Sequence, residues 1–168
     1  MATDKMTPSI AWQCEPFGDL APNALYASLK ARSEVFVVEQ RCVFLDMDDL
    51  DLHALHLLGW VNGGVSPQRD AALAAYLRLI EPGRKYFEAS IGRVLTTRAY
   101  RGIGLGRVLM LEGLRRAASA FPGVPVRIGA QRYLEPFYSS LGFHVASEPY
   151  DEDGIEHVQM LRPHGAAP

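Results

Sequence analysis

Basic surplus, cysteine and long apolar runs are all scarce in this sequence, and each scarcity excludes something. Lys and Arg number 17 against 19 Asp and Glu, a formal net charge of −2. Nucleic-acid binding rests on a basic footprint, so a near-neutral chain is not expected to bind nucleic acid. Only two cysteines occur, Cys14 and Cys42. Neither has a CxxC partner for zinc or redox work, and a single pair is no disulfide framework; both read as reduced thiols. No stretch reaches the roughly 18 apolar residues of a membrane span. Residues 1–9 lack the basic start and apolar run of a signal peptide. The expectation is a cytoplasmic protein with no membrane partner. Two phosphate-binding signatures are missing as well. Without a Gly-Lys pair there is no P-loop, and Arg107 stands where a dinucleotide fingerprint starting at Gly102 needs its third glycine.

What is present suits one globular domain. The chain has 168 residues, 48% of them apolar and 21% charged. A chain of that length can bury roughly 70% of its unfolded surface, enough for a core without staples. No internal repeat is visible. The folded unit is expected over residues 10–162, with 1–9 and 163–168 as flexible tails.

A first helix is predicted from Pro22, a favoured first-turn residue. Leu25, Leu29 and Phe36 follow at helical spacing, and the helix should loosen at Glu39-Gln40. An acidic loop with Asp46, Asp48, Asp49 and Asp51 comes next. Residues 53–61 and 71–80 read as a strand pair across a Gly-rich turn that runs through Pro67. Propensity alone would make Ala71 to Ala75 helical, but the hairpin context favours a strand. Residues 88–97 form a further strand. Residues 104–121 form the clearest helix, with Met110, Leu111, Leu114, Ala117, Ala118 and Phe121 on one arc. Val108 and Leu109 fall outside it. A short strand (124–130), a short helix (134–141) and a closing hairpin (143–146 with 155–161) complete the chain. Strict βαβ alternation is absent, so the fold class is α+β, a mixed sheet with helices on its faces.

The chemistry concentrates between residues 91 and 107. A strand runs into a turn with glycines at 102, 104 and 106, which opens the amphipathic helix. Glycines let the backbone approach a ligand and turn its N–H groups outward. With the helix dipole these groups make an anion site suited to a diphosphate. Arg98, Arg101 and Arg107 add positive charge. A packing turn would use the same glycines, so the loop alone does not decide.

The pattern Arg-x-x-Gly-x-Gly, at Arg101, Gly104 and Gly106, resembles the acetyl-CoA loop of the GCN5-related N-acetyltransferase (GNAT) superfamily. The stretch from Gln131 to Phe143 resembles that superfamily's later motif: Tyr138, Gly142 and Phe143 match, with Gln131 where Asn is usual and Leu134 where Ala is usual. Phe36 to Gln40, the acidic loop, His56-Leu57-Leu58 and Tyr150 to His157 are similar to its ElaA-like branch. The resemblance implies a GNAT-like fold: a central mixed, mostly antiparallel sheet, two splayed parallel strands and flanking helices. It implies acetyl transfer from acetyl-CoA to a primary amine of a small molecule or peptide, without a metal. The cofactor would bond to the strand at Val94, Leu95 and Thr96. Its diphosphate would sit on the loop Arg101, Gly102, Ile103, Gly104, Leu105 and Gly106, with Arg107. Gln131 would offer an amide. Tyr138 would donate to the leaving thiolate, and Glu39 or His56 would serve as base, unless water relays the proton. A homodimer is the commonest assembly for such a protein. The alternative function is a non-catalytic acyl-CoA-binding module, which needs neither Tyr138 nor a base.

The acidic loop has further readings. Calcium is excluded, because an EF-hand counted from Asp46 needs Gly and Glu where Asp51 and Leu57 stand. A lure for a cationic acceptor and a simply solvated loop both remain.

Overall fold

The computed structural model describes residues 8–61 and 71–166. The Gly-rich turn expected through Pro67 lies outside them, as do residues 1–7 and 167–168 of the two expected tails.

Eight strands form one sheet: β1 (Ala11–Pro16), β2 (Ala54–Val61), β3 (Ala72–Ile80), β4 (Ala89–Thr96), β5 (Val126–Gln131), β6 (His144–Val145), β7 (Tyr150–Glu152) and β8 (Ile155–Arg162). The order across the sheet is β1-β2-β3-β4-β5-β8-β6, with β7 also on β8. Every pairing is antiparallel except β4 with β5. That parallel pair is joined by the helix α2 (Leu105–Ala120), as a parallel connection requires a crossover.

The sheet is covered on both faces. Against one lie α2 and the short α3 (Glu135–Ser139), with Leu77, Leu79, Leu109, Met110 and Tyr138 in the core. Against the other lies α1 (Pro22–Arg32), packed over Leu58, Trp60, Tyr76 and Leu95. The central β3 is therefore buried on both faces. That burial outweighs the helix propensity of its alanines, a tertiary override of a weak local preference.

The buried face of α2 departs from the expected arc. Leu109 is fully buried, while Leu111 and Ala118 are exposed. The face centres on Gly113, where a Cβ would stand 2.6 Å from a methyl of Leu77. At about 100° per residue this turns the arc by roughly 90°. Glycine carries no hydropathy, so hydrophobic spacing could not see the point of closest approach.

The acidic loop is neither solvated nor a lure. Asp46 and Asp51 are buried and Asp48 is partly so. Arg32 donates to Asp46 (2.8 Å) and forks onto both oxygens of Asp51 (2.8 and 2.9 Å). Arg78 bridges Asp48 and Asp51, each at 2.6 Å, and Arg93 donates to Asp46 at 2.7 Å. Three aspartates thus neutralise three arginines, and only Asp49 of the four faces solvent without an ion pair among the described residues.

The closing strands also differ in detail. β7 and β8 make the hairpin across Asp153-Gly154, and β6 pairs with the far end of β8.

Candidate active site

β4 and β5 pair only at Ala89–Val126 and Ser90–Arg127, then part. From Ile91 onward the β4 edge facing β5 has no strand partner, so its backbone groups are open to a ligand. A cavity of about 630 Å³ occupies the gap. Val94, Leu95 and Thr96 line it from β4, and Ile128, Gly129 and Gln131 from β5.

Beside the gap, β4 carries a bulge. Tyr76 pairs with Leu95 but Arg78 with Gly92, so Leu77 spans both Arg93 and Val94. Arg93 takes a left-handed φ of 54°, uncommon for a side-chain-bearing residue. Its guanidinium is pinned by the side chain and carbonyl of Asp46, and lies 6.0 and 5.6 Å from the ring centroids of Phe36 and Phe44. The ion network under the acidic loop therefore anchors the strand irregularity that faces the cavity.

At the end of β4 the chain enters the glycine turn. Gly102 and Gly104 have φ of 76° and 79°, and Cβ atoms built at 102, 104 or 106 would meet open space. Arg107 N–H donates to the Gly104 carbonyl at 3.1 Å. The N–H groups of Leu105 and Gly106, the first two residues of α2, have no helical acceptor. Room, left-handed glycines and free donors together fit a diphosphate. Leu105 can offer only its backbone, because its side chain is in the core.

The other sequence-predicted residues divide. Tyr138 lines the cavity from α3 and is 7% exposed. Burial pushes its phenol up to about 12. Glu39 lines the cavity at the end of a π-helical turn, Ser33–Glu39, that continues α1. The Arg101 guanidinium donates to the Glu39 carboxylate at 2.8 Å and to the Thr96 carbonyl at 3.0 Å, bridging α1's extension and the glycine turn. Gln131 lines the cavity and its amide donates to Gln40 at 3.3 Å.

Of the predicted site residues, Gly102 to Gly106 lie outside the cavity lining, beyond Arg101 at its edge, and Arg107 and His56 are turned away from it. Arg107 turns its guanidinium to Ser140, donating to Oγ at 2.8 Å, and so ties the start of α2 to the end of α3. His56 is fully buried in β2. Its Nε2 donates to the Asp51 carbonyl at 3.0 Å, so its Nδ1 accepts from the Tyr76 hydroxyl at 2.7 Å. Burial pushes the imidazole below its ordinary value, consistent with this neutral form. Both ring nitrogens are engaged inside the protein, which leaves His56 no reach to a substrate.

The sequence reading missed the far end of the cavity: Phe44, Lys85, Arg93, Glu152 and Asp153. Their spacing carries no signal, since they come from three separate loops and a strand bulge. Among the described residues, no group of His, Cys, Asp or Glu is placed to hold a metal ion. None of their helices is long and apolar enough to cross a membrane.

A sheet whose parallel strands part over a glycine turn at a helix N-terminus defines a class, the acyl-CoA-dependent acyltransferases of GNAT type. Residues 65–162 match the family model described as an acetyltransferase (GNAT) domain. A UPF0039 protein of Synechocystis is 41% identical over 152 residues, 90% of this chain and 94% of that protein. Protein ElaA of Escherichia coli is 39% identical over 155 residues, 91% of this chain and 96% of its own length. The ElaA crystal structure superposes with a TM-score of 0.82 over 92% of this chain and 99% of that one. An acyl-CoA N-acyltransferase from Pseudomonas aeruginosa gives 0.83, with 41% identity, over 92% of this chain and 99% of that one. The chain belongs to the GNAT family and, within it, is similar to ElaA.

Proposed function

We propose that this protein transfers an acetyl group from acetyl-CoA to a primary amine within a ternary complex. The observation that carries the reading is the cavity between the parted strands, which runs from Arg101, at the start of the glycine turn, past the Tyr138 wall. The diphosphate takes the N–H groups from Gly102 to Gly106, and the pantetheine arm bonds to the open edge of β4 at Val94 and Thr96. Arg101 completes the anion site. A diphosphate competes with Glu39 for Arg101, and Glu39 is then free to accept a proton.

The amine nitrogen attacks the thioester carbonyl carbon. A C–N bond forms, the C–S bond breaks, and the amine loses one proton. The acceptor enters as an ammonium with a pKa near 10.4, so Glu39, directly or through water, first takes one proton to free the lone pair, and the second proton, lost as the C–N bond forms, passes to solvent. The departing sulfur accepts a hydrogen bond from the Tyr138 hydroxyl. A phenol near 12 against a thiol near 8.5 makes full transfer uphill by roughly 5 kcal/mol. Tyr138 therefore stabilises the developing thiolate as a donor, and solvent returns the proton to give the free thiol. Holding amine and thioester together contributes the larger share, up to about 7–11 kcal/mol. His56 has no part in this scheme.

The test is release of free CoA thiol from acetyl-CoA across a panel of primary amines, with mass detection of the acetylated product. Turnover with at least one amine is expected. Tight acetyl-CoA binding with no thiol release from any amine would favour the non-catalytic binding module instead.

A further inference from the structure

We infer that the acceptor is an amine that also carries a carboxylate, an amino-acid-like molecule whose carboxylate is held by Lys85; this rests on the acyltransferase reading above. The cavity has two ends. Thr96 and Arg101 mark the one that opens to the glycine turn. From Thr96 back to Gly92 the strand runs roughly 13 Å, at about 3.3 Å per residue. There the lining passes to Lys85, on the turn between β3 and β4, and to Glu152 and Asp153, on the β7–β8 hairpin. With the diphosphate at the first end and the thioester beside Tyr138, the second end is left for the acceptor.

Three cations line the cavity. Arg101 is paired with Glu39 and Arg93 with Asp46. Lys85 alone forms neither an ion pair nor a side-chain hydrogen bond among the described residues. Its ammonium lies 5.2 Å from the ring centroid of Tyr86. Its side chain stays solvent-exposed at the cavity rim, where the neighbouring protein pushes its pKa below the ordinary lysine value against the attraction of Glu152. A charge so placed is stabilised by an incoming anion, and a carboxylate is the anion an amine acceptor can bring with it.

The opposite sign is supplied at the same end. Glu152 and Asp153 both line the cavity. An anion without an amine would be repelled by them, and a bare amine would add a second cation beside Lys85, which Glu152 already attracts. A molecule with both groups answers both charges. Gly129 lines the cavity from β5, and the hydroxyls of Tyr150 and Tyr86 take the place of its missing side chain, 3.0 and 3.7 Å from where a Cβ would stand.

The experiment compares acceptor pairs that differ only by the carboxylate: L-lysine against cadaverine, and L-phenylalanine against phenethylamine, read as thiol release from acetyl-CoA. A lysine-ended tripeptide, with free or amidated C-terminus, tells a chain end from a free amino acid. The wild-type protein is expected to favour the carboxylate-bearing member of a responding pair at least tenfold in kcat/KM. Lys85→Met should erase that preference through KM, and Lys85→Arg should keep most of it. Equal use of both members by the wild type would overturn the inference while leaving the acetyltransferase reading intact. So would a preference that survives Lys85→Met. No thiol release from any member would overturn both.

Discussion

Tyr138 and His56 show how environment, and not residue type, decides a chemical role. A free histidine near pKa 6.5 suits proton transfer at neutral pH. His56 is locked instead between the Asp51 carbonyl and the Tyr76 hydroxyl, with no solvent exposure. The pH dependence of turnover should therefore show no contribution from it. Tyr138 combines burial with a place on the cavity wall, and a phenol raised to about 12 stays protonated throughout the neutral range. A hydrogen bond to a charged partner contributes about 1.5–3 kcal/mol. Tyr138→Phe should then lower kcat by roughly ten- to a hundredfold where chemistry limits turnover. Its acetyl-CoA affinity should change little, because the hydroxyl is needed only as the thiolate forms. Steady-state kinetics beside a binding titration check both halves, and an unchanged kcat would remove the tyrosine from the mechanism.

At the scale of elements, the acidic loop and α2 carry the predictions. Burial alone would raise the Asp51 pKa, but hydrogen bonds from Arg32 and Arg78 outweigh it and hold the carboxyl below its usual range; Asp48 is lowered in the same way by Arg78. Depressed folded-state values contribute stability that is complete above the unfolded pKa of about 3.9 and lost as pH falls through the folded values. Urea unfolding should give a stability that falls as pH drops below about 6.5, where the unfolded chain protonates His56 and the buried neutral imidazole does not, and a further decline below about 4 from the aspartates. Asp51→Ala would leave two buried guanidinium groups short of a partner, at a cost of roughly 3–5 kcal/mol. On α2, Gly113→Leu improves helix propensity yet forces side-chain atoms into Leu77. Overpacking of that kind costs about 1–3 kcal/mol, so the melting temperature should fall despite the better helix former. Both features escaped the sequence for definable reasons. The arginines that meet Asp46, Asp48 and Asp51 lie 14 to 47 residues away along the chain. A glycine at the centre of a buried face is silent to hydrophobic spacing. By contrast, Pro22 at the start of α1 and the paired strands β2 and β3 were legible, because first-turn proline and flanking turn residues act locally.

At the scale of the whole molecule, the site is a consequence of topology. One parallel pair in an otherwise antiparallel sheet needs a crossover helix, and α2 supplies it. The same connection sets the helix N-terminus at the mouth of the gap where β4 and β5 part. The glycine turn was readable because Gly102 and Gly104 serve a backbone geometry that few other residues adopt. Tyr138, at the same cavity, was reachable through the spacing of the later motif. Lys85, Glu152 and Asp153 were not, since only the folded sheet brings the β3–β4 turn beside the last hairpin. The central claim is that the turn from Arg101 to Gly106 grips the diphosphate of an acyl-CoA through main-chain N–H groups. Calorimetric titration with acetyl-CoA and with S-acetylpantetheine, which lacks the diphosphate, tests it most directly. Saturable one-to-one binding of acetyl-CoA, at least a hundredfold tighter than the truncated thioester, is the predicted result. Equal affinity for the two, or no heat from acetyl-CoA up to millimolar concentration on folded protein, would contradict it.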